Sequence, residues 1–177
     1  MNWVEKEFEE KMTKYIDEIY KKIFKLLVSI HRSKRDSEDE KLLFMDIELA
    51  IDTHLTFKNR SILTFQEKTL RNCKRHWQQF TFEYYNDPAT KEEGEWFKLS
   101  SLLYFFGYAN KEETGYDEYW ILNVAKLRTG LMRNYTLKYL EENFLKYNKP
   151  PAKASFFAIP FDILKKMDGV IMDHKLI

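Results

Sequence analysis

The central segment of this chain is Asp52-Thr-His-Leu-Thr-Phe57, then Lys58-Asn-Arg60, then Ser61-Ile-Leu-Thr-Phe-Gln-Glu-Lys68. Its outer parts are rich in β-branched and aromatic residues, which favour a pleated, half-buried surface. The polar triplet between them contains Asn59, and asparagine can adopt the left-handed conformation that a short hairpin loop needs. The segment therefore predicts two antiparallel strands joined by a tight turn.

The length of this loop determines which polar side chains meet. If residues 58–60 form the loop, Asp52 lies directly opposite Gln66. Opposed Cβ atoms are roughly 4.5–5.5 Å apart, so both side chains could reach one metal ion. Because side chains alternate along a strand, Gln66 and Lys68 share one face and Glu67 takes the other. A loop one residue shorter or longer would instead pair Asp52 with Glu67. We expect the three-residue loop, because it groups two oxygen ligands with the lysine.

An aspartate after an isoleucine, a hairpin, and an acid or amide two residues before a lysine resembles the PD-(D/E)XK nuclease superfamily. Here the pattern is Asp52 with Gln66-Glu67-Lys68, so a glutamine replaces the usual carboxylate. The resemblance covers about residues 42–125 and is most specific at residues 50–52 and 64–68. It implies a restriction-endonuclease-like α/β (α+β) fold, in which helices flank a central mixed sheet. We expect residues 1–177 to form a single nuclease-like domain.

The resemblance also implies an activity, a Mg²⁺-dependent endodeoxyribonuclease. Asp52 and Gln66 would bind Mg²⁺, or Mn²⁺ in its place, because these hard cations prefer oxygen ligands. Lys68 would orient the attacking water or stabilise the charge that grows on the phosphoryl group. Glutamine adds no negative charge, so we expect a further acid nearby. The candidates are Asp46, Glu48, Glu83 and, on the first helix, Glu5 and Glu9.

Composition places the chain among globular proteins. It has 177 residues, of which 44% are hydrophobic and 16% aromatic, enough for one domain with a substantial core. Cys73 is the single cysteine, so no intramolecular disulfide can form, which fits the reducing cytoplasm. We expect no membrane association, because no apolar run is long enough to span a bilayer and the first residues are charged.

The charge balance indicates no general affinity for nucleic acid, since 29 Lys and Arg offset 28 Asp and Glu. DNA binding would therefore need a local basic surface. One candidate is residues 31–35, and another follows Lys68 and contains Arg71, Lys74 and Arg75. Each could equally be a solvated loop. Subunits of this fold commonly pair so that two sites address two strands, which implies a homodimer.

Periodicity outlines the rest of the chain. Apolar residues three and four apart predict one long helix over residues 3–30. We then expect strands over residues 42–52, 80–85, 104–109, 119–124 and 155–159. Further helices are predicted over residues 96–103, over 125–149 with a weak point at Gly130, and from Pro160 onward.

Other chemistries find little support. The sequence has no glycine-rich phosphate-binding loop, and its four histidines show no metal-binding spacing. Two alternatives to a nuclease remain open at this point. One is a nucleic-acid-binding protein with a nuclease fold that has lost cleavage, and the other is a protein-interaction module in which the motif is accidental. Mg²⁺-dependent cutting separates the nuclease from both.

Overall fold

The computed structural model describes residues 3–33, 39–149 and 152–176. The helices are α1 (Trp3–Ile23), α2 (Glu40–Leu49), α3 (Glu95–Lys98), α4 (Val124–Asn134), α5 (Leu137–Phe144) and α6 (Phe161–Leu164), with a 3-10 helix over Asn72–Trp77. The strands are β1 (Leu27–Arg32), β2 (Thr53–Phe57), β3 (Ile62–Leu70), β4 (Gln79–Asp87), β5 (Glu92–Glu93), β6 (Leu103–Ala109), β7 (Tyr116–Asn123), β8 (Leu145–Tyr147), β9 (Ser155–Pro160) and β10 (Ile171–Leu176).

The described strands form two sheets. The larger has six strands in the order β1-β2-β3-β6-β7-β10, in which β3 and β6 are parallel and the other neighbours antiparallel. The smaller has the order β5-β4-β9-β8 and is antiparallel throughout. The expected α/β class, with helices around a mixed sheet and a long N-terminal helix, is therefore confirmed.

Two apolar layers lie on opposite faces of the six-stranded sheet. On one face α1 packs through a stripe of side chains four residues apart: Phe8, Met12, Ile16 and Tyr20. The other face meets the smaller sheet, α4, α5 and α6 in a core that is rich in aromatic rings. All of β6 is buried, because it contributes side chains to both layers. No helix of the described chain is long and apolar enough to cross a membrane.

The hairpin has the register that its sequence predicts. Thr53 pairs with Phe65 and Thr56 with Ile62, so residues 58–60 form the loop. The Phe57 amide donates to the Ser61 carbonyl at 3.0 Å and closes that loop. Extending the register by one residue brings Asp52 beside Gln66.

The helix prediction over residues 3–30 is wrong beyond Ile23. Leu26 and Ile30 continue the helical spacing, but the chain turns and Leu27–Arg32 forms β1. Pairing with β2 offers this segment a complete hydrogen-bond ladder, and Ile30 lies opposite Leu55 on the face that α1 covers. Tertiary pairing thus overrides the local period.

The strand prediction over residues 42–52 is also wrong, because Glu40–Leu49 is helical. The Asp39 side chain accepts from the Lys41 amide at 2.9 Å and caps the N-terminus. Ala50, with φ of 47°, ends the helix in the left-handed region and turns the chain toward β2.

Two other helix predictions need correction. The helix expected over residues 96–103 is confined to Glu95–Lys98. In the helix expected over residues 125–149, the break lies not at Gly130 but between Asn134 and Leu137, where Thr136 caps α5, and the helix ends at Phe144 because Leu145–Tyr147 forms β8. Gly130 stays helical, and a Cβ there would lie 2.9 Å from the Met167 sulfur, so glycine makes room for a close packing contact.

Candidate active site

Asp52 lies just before β2 and is held by backbone groups of β3. Its amide donates to the Phe65 carbonyl at 2.9 Å, and its Oδ2 accepts from the Glu67 amide at 2.7 Å. The turn at Ala50 delivers the chain to this position. The predicted neighbourhood of Asp52 and Gln66 therefore forms, with the carboxylate anchored to the strand that carries the other two motif residues.

Gln66 and Lys68 share the face of β3 that points away from α1. In the parallel pairing with β6, Gln66 lies beside Tyr104 and Lys68 beside Phe106, whose side chains belong to the layer opposite α1. Gln66 Oε1 is buried, and it has no hydrogen-bond donor in the part of the chain that the structure describes. An unsatisfied buried acceptor costs about 1–3 kcal/mol, so this oxygen is a candidate ligand.

Glu95, which sequence reasoning missed, completes the acidic side of this site. Its Oε2 accepts from the Glu83 amide at 3.2 Å, and Lys68 is close enough for its charge to act on the carboxylate. Gly94 places it there, since a Cβ on Gly94 would lie 2.8 Å from the Tyr84 carbonyl oxygen. The sequence signal was a glycine directly before the acid, but the close approach to β4 is a tertiary contact.

The electrostatics of the site favour a cation. Burial raises the pKa of Asp52 well above its usual range, and the charge of Glu67 adds to this. Asp46 and Glu95 act in the same direction, while the hydrogen bond from the Glu67 amide opposes it. Burial also raises the pKa of Glu95, and Lys68 opposes this shift. A cation beside these two carboxylates would favour their charged forms and so oppose the effect of burial.

The other candidate acids differ in their placement. Asp46 lies on α2, close enough for its charge to act on Asp52, whereas Glu48 on the same helix is exposed. Glu9 is exposed on α1, which packs against the opposite face of the sheet. The side chain of Glu5 lies outside the described residues. Of the expected additional acids, Asp46 and Glu83 are thus near the site.

Glu67 points to the α1 side, as the alternation predicts, and is part of a charged network that sequence reasoning missed. Its carboxylate accepts from the Tyr20 hydroxyl at 2.9 Å and is paired with Arg32. Arg32 is also paired with Asp17 and donates to Thr53 Oγ1 at 2.9 Å. Burial opposes the charge of Arg32, but its acidic partners outweigh burial and raise its pKa.

The basic segment after β3 forms the 3-10 helix, and its arginines are paired with acids. Arg71 is paired with Glu113. Arg75 donates from Nε to Glu118 Oε2 at 3.2 Å. The Lys74 ammonium lies 4.3 Å from the centre of a neighbouring tryptophan ring. Part of the positive charge is therefore neutralised within the protein, and a role of these residues in DNA binding stays a prediction. In the other basic segment, Lys34 and Arg35 lie outside the described residues.

The donor set at the site is unusual for a metal centre. Within residues 3–33, 39–149 and 152–176, no group of three or more His, Cys, Asp or Glu side chains is arranged to hold a metal ion. A site here would combine carboxylates with the Gln66 amide oxygen. Comparisons of the chain with protein-family models, curated proteins and solved structures find no match.

Glu95→Gln is expected to stabilise the fold at neutral pH by about 0.5–2 kcal/mol, as functional-site substitutions often do. The raised pKa of Glu95 means that its native form prefers the proton. Protonated Glu95 therefore stabilises the fold at pH values below the pKa that Glu95 has in the unfolded chain. This stabilisation is lost as the pH rises through the higher pKa that Glu95 has in the native protein. The gain from Glu95→Gln should be near zero around pH 4 and grow toward pH 7 in urea unfolding curves.

Glu93→Gln is the matched control, because Glu93 is exposed on β5. It should leave the free energy of unfolding nearly unchanged at both pH values. A loss of stability in Glu95→Gln at pH 7 would mean that the native carboxylate is better solvated than its surroundings indicate.

Proposed function

We propose that this protein is a metal-dependent nuclease that hydrolyses phosphodiester bonds of DNA. The observation that carries the proposal is the placement of Gln66. Its oxygen is buried without a donor among the described residues, it lies across from Asp52, and it shares a face with Lys68. Phosphodiester hydrolysis needs oxygen ligands for a divalent cation and a nearby positive charge, and these residues supply both.

The residues fit Mg²⁺ or Mn²⁺ by their chemistry. Asp52 offers a carboxylate, Gln66 an unsatisfied oxygen, and Glu95 a second half-buried acid close enough for its charge to act on Asp52. Burial raises the pKa values of Asp52 and Glu95, and neighbouring acids add to the shift of Asp52, whereas a bound divalent cation would favour both carboxylates in their charged form. When bound, the ion would polarise the scissile phosphate and acidify an attacking water.

The chain's own residues have distinct parts in the proposed reaction. Asp52, fixed by the Glu67 amide, holds its carboxylate in place without rearrangement. Lys68 supplies a positive charge for the phosphoryl oxygens as the water oxygen bonds to phosphorus and the sugar oxygen leaves. The attacking water gives up one proton to bulk water, and the leaving sugar oxygen takes up one proton from bulk water as its bond to phosphorus breaks.

The direct test is incubation of the protein with linear, circular and branched DNA, with and without Mg²⁺ or Mn²⁺. The proposal expects cutting that requires the metal and stops in EDTA. Binding without cutting under all conditions would favour a nucleic-acid-binding protein that has lost cleavage. Neither binding nor cutting would favour a protein-interaction module.

Gln66→Glu tests the metal ligands with a readout that does not depend on activity. A third buried acid near Asp52 and Glu95 should lower the thermal midpoint in EDTA, because like charges repel. Mg²⁺ should restore it, so the Mg²⁺-induced rise should exceed that of the wild type, and cleavage should survive at lower Mg²⁺. Differential scanning fluorimetry over a Mg²⁺ titration measures this.

Two variants control this experiment. Gln66→Met removes the oxygen and should demand more metal for cleavage. Thr129→Glu adds the same charge at an exposed position of α4 and should show no Mg²⁺-dependent shift beyond that of the wild type. If Mg²⁺ raises the thermal midpoints of Gln66→Glu and Thr129→Glu equally, Gln66 is not a ligand of the metal.

We also propose that the protein acts in the cytoplasm and forms a homodimer. A single, exposed Cys73 suits the reducing cytoplasm, where the protein would meet its DNA. Pairing into a homodimer would let two sites act on two strands, and light scattering coupled to size exclusion measures the molar mass that this requires.

A further inference from the structure

Next to the candidate active site, the sheet has a polar face. On β1, β2 and β3 most side chains that point away from α1 are small, polar or aromatic, and they are exposed or half-buried: Ser29, His31, His54, Thr56 and Thr64. Ile62, which pairs with Thr56, adds one exposed apolar side chain to this face. The same face continues along β3 to Gln66 and Lys68. With neighbouring strands about 4.8 Å apart, these three strands give a platform about 10 Å wide.

The centre of the platform is a pair of stacked imidazoles. His31 and His54 face each other across β1 and β2, with ring centres 5.0 Å apart and planes 16° from parallel. His31 Nε2 lies 2.9 Å from Ser29 Oγ, which fixes the outer ring. His31 is exposed, so the stack presents a preorganised flat ring surface to solvent.

Positive side chains lie at both ends of this platform. Lys58 and Arg60 are exposed in the hairpin loop, just beyond Thr56. Lys68 lies at the other end, beside the candidate metal ligands. A ligand that lies on the platform would therefore meet ring surface and hydroxyls at the centre and cations at its ends, which matches a nucleotide strand.

We propose that the polar face of β1–β3 binds an extended single strand of DNA, with a base stacked on the His31–His54 pair. The inference rests on the proposed nuclease function, because it makes this face the track that leads the strand to Asp52, Gln66 and Lys68. Sequence-tolerant binding of single strands commonly combines base stacking on aromatic side chains with contacts to the backbone.

A single strand fits this surface better than a duplex does. Duplex binding depends mainly on neutralising many phosphates, and the chain has a net charge of only +1. Arg71 and Arg75, in the most basic described segment, are already paired with acids. A sheet surface with an exposed ring can instead stack on bases that are unpaired and therefore free to turn outward.

The test is fluorescence anisotropy in EDTA, where no cutting occurs, with labelled oligothymidine and a duplex of equal length. Wild type should bind the single strand more tightly than the duplex. His31→Ala/His54→Ala should weaken single-strand binding about tenfold or more, the loss expected for one stacked base. His31→Phe/His54→Phe keeps the rings and should retain most of the affinity.

Tyr147→Ala is the matched control, since Tyr147 is an exposed ring on β8 in the smaller sheet, and it should bind as the wild type does. Circular dichroism confirms that each variant is folded. The proposed single-strand site would be wrong if the wild type bound the duplex more tightly or did not bind the single strand. It would also be wrong if the double alanine variant bound like the wild type, or if the alanine and phenylalanine variants lost equal affinity. The cleavage assay on the wild type tests the nuclease function separately. Failure of the binding proposal can therefore be told apart from failure of the proposed function.

Discussion

Asp52→Asn and Lys68→Met are each expected to lower the rate of Mg²⁺-dependent DNA cleavage by about 10²–10³-fold, the loss typical of one electrostatic group at a reacting centre. Asparagine in place of Asp52 keeps an oxygen for the Glu67 amide but loses the charge that would hold the proposed metal ion. Methionine in place of Lys68 keeps the alkyl stem and removes the ammonium. DNA affinity should fall far less than the cleavage rate, because the ring pair and the cations of the hairpin loop remain on the platform.

Single-turnover cleavage together with anisotropy separates these effects. Lys146→Met, at an exposed position of β8, is the control for loss of a lysine charge and should cut at the wild-type rate. If the wild type cuts DNA and neither site variant slows it, the reacting groups lie elsewhere in the protein.

Arg32→Met is expected to lower the free energy of unfolding by about 3–5 kcal/mol, because it leaves buried acids without their partner. Glu67 is most affected, since its side chain is only 8% exposed. Asp17, at 28%, can recover part of its hydration. Chemical unfolding in urea measures the loss, which should exceed that of any surface ion pair.

The double variant Arg32→Met/Glu67→Met should recover more than half of this loss, because it removes the uncompensated charge and fills the space with apolar atoms. Lys11→Met is the surface control: Lys11 is 46% exposed, its pair with Glu113 spans 3.3 Å, and its loss should cost less than about 1 kcal/mol. A double variant no more stable than Arg32→Met would show that geometry, not unpaired charge, makes Arg32 necessary.

The hairpin could be predicted in detail because its determinants are local. A polar triplet sets the loop, and the alternation on either side fixes which residues meet. The faces of Gln66, Glu67 and Lys68 follow from that register alone, so the core of the candidate site was accessible from sequence. The helix over Trp3–Ile23 was equally clear from its apolar period, although the side chains buried after Met12 are Ile16 and Tyr20 and not the predicted Tyr15 and Ile19.

Residues 24–33 and 39–49 resisted prediction because local pattern and tertiary pairing disagree there. Leu26 and Ile30 satisfy a helical period, yet the ladder with β2 makes the segment β1. The apolar run over residues 42–45 is too short for its period to distinguish strand from helix. The cap at Asp39 was the available signal for α2.

The rest of the site depends on contacts between distant parts of the chain. Glu95 enters because Gly94 approaches β4, and no spacing in the sequence announces that contact. Arg75 looked like a free cation, but Glu118, far along the chain, accepts its Nε–H. The sequence shows which charged side chains are present, and the fold determines which of them form ion pairs.

Glu67 links the two faces of β3, and this link limits how the protein can evolve. Its backbone amide holds Asp52, while its carboxylate is held by Tyr20 and Arg32 on the far side of the same strand. Substitutions that loosen α1 will therefore also shift Asp52, although none of them touches the proposed site. Selection on the proposed chemistry would conserve a helix surface on the opposite side of the sheet, and the two faces of the strand would have to change together.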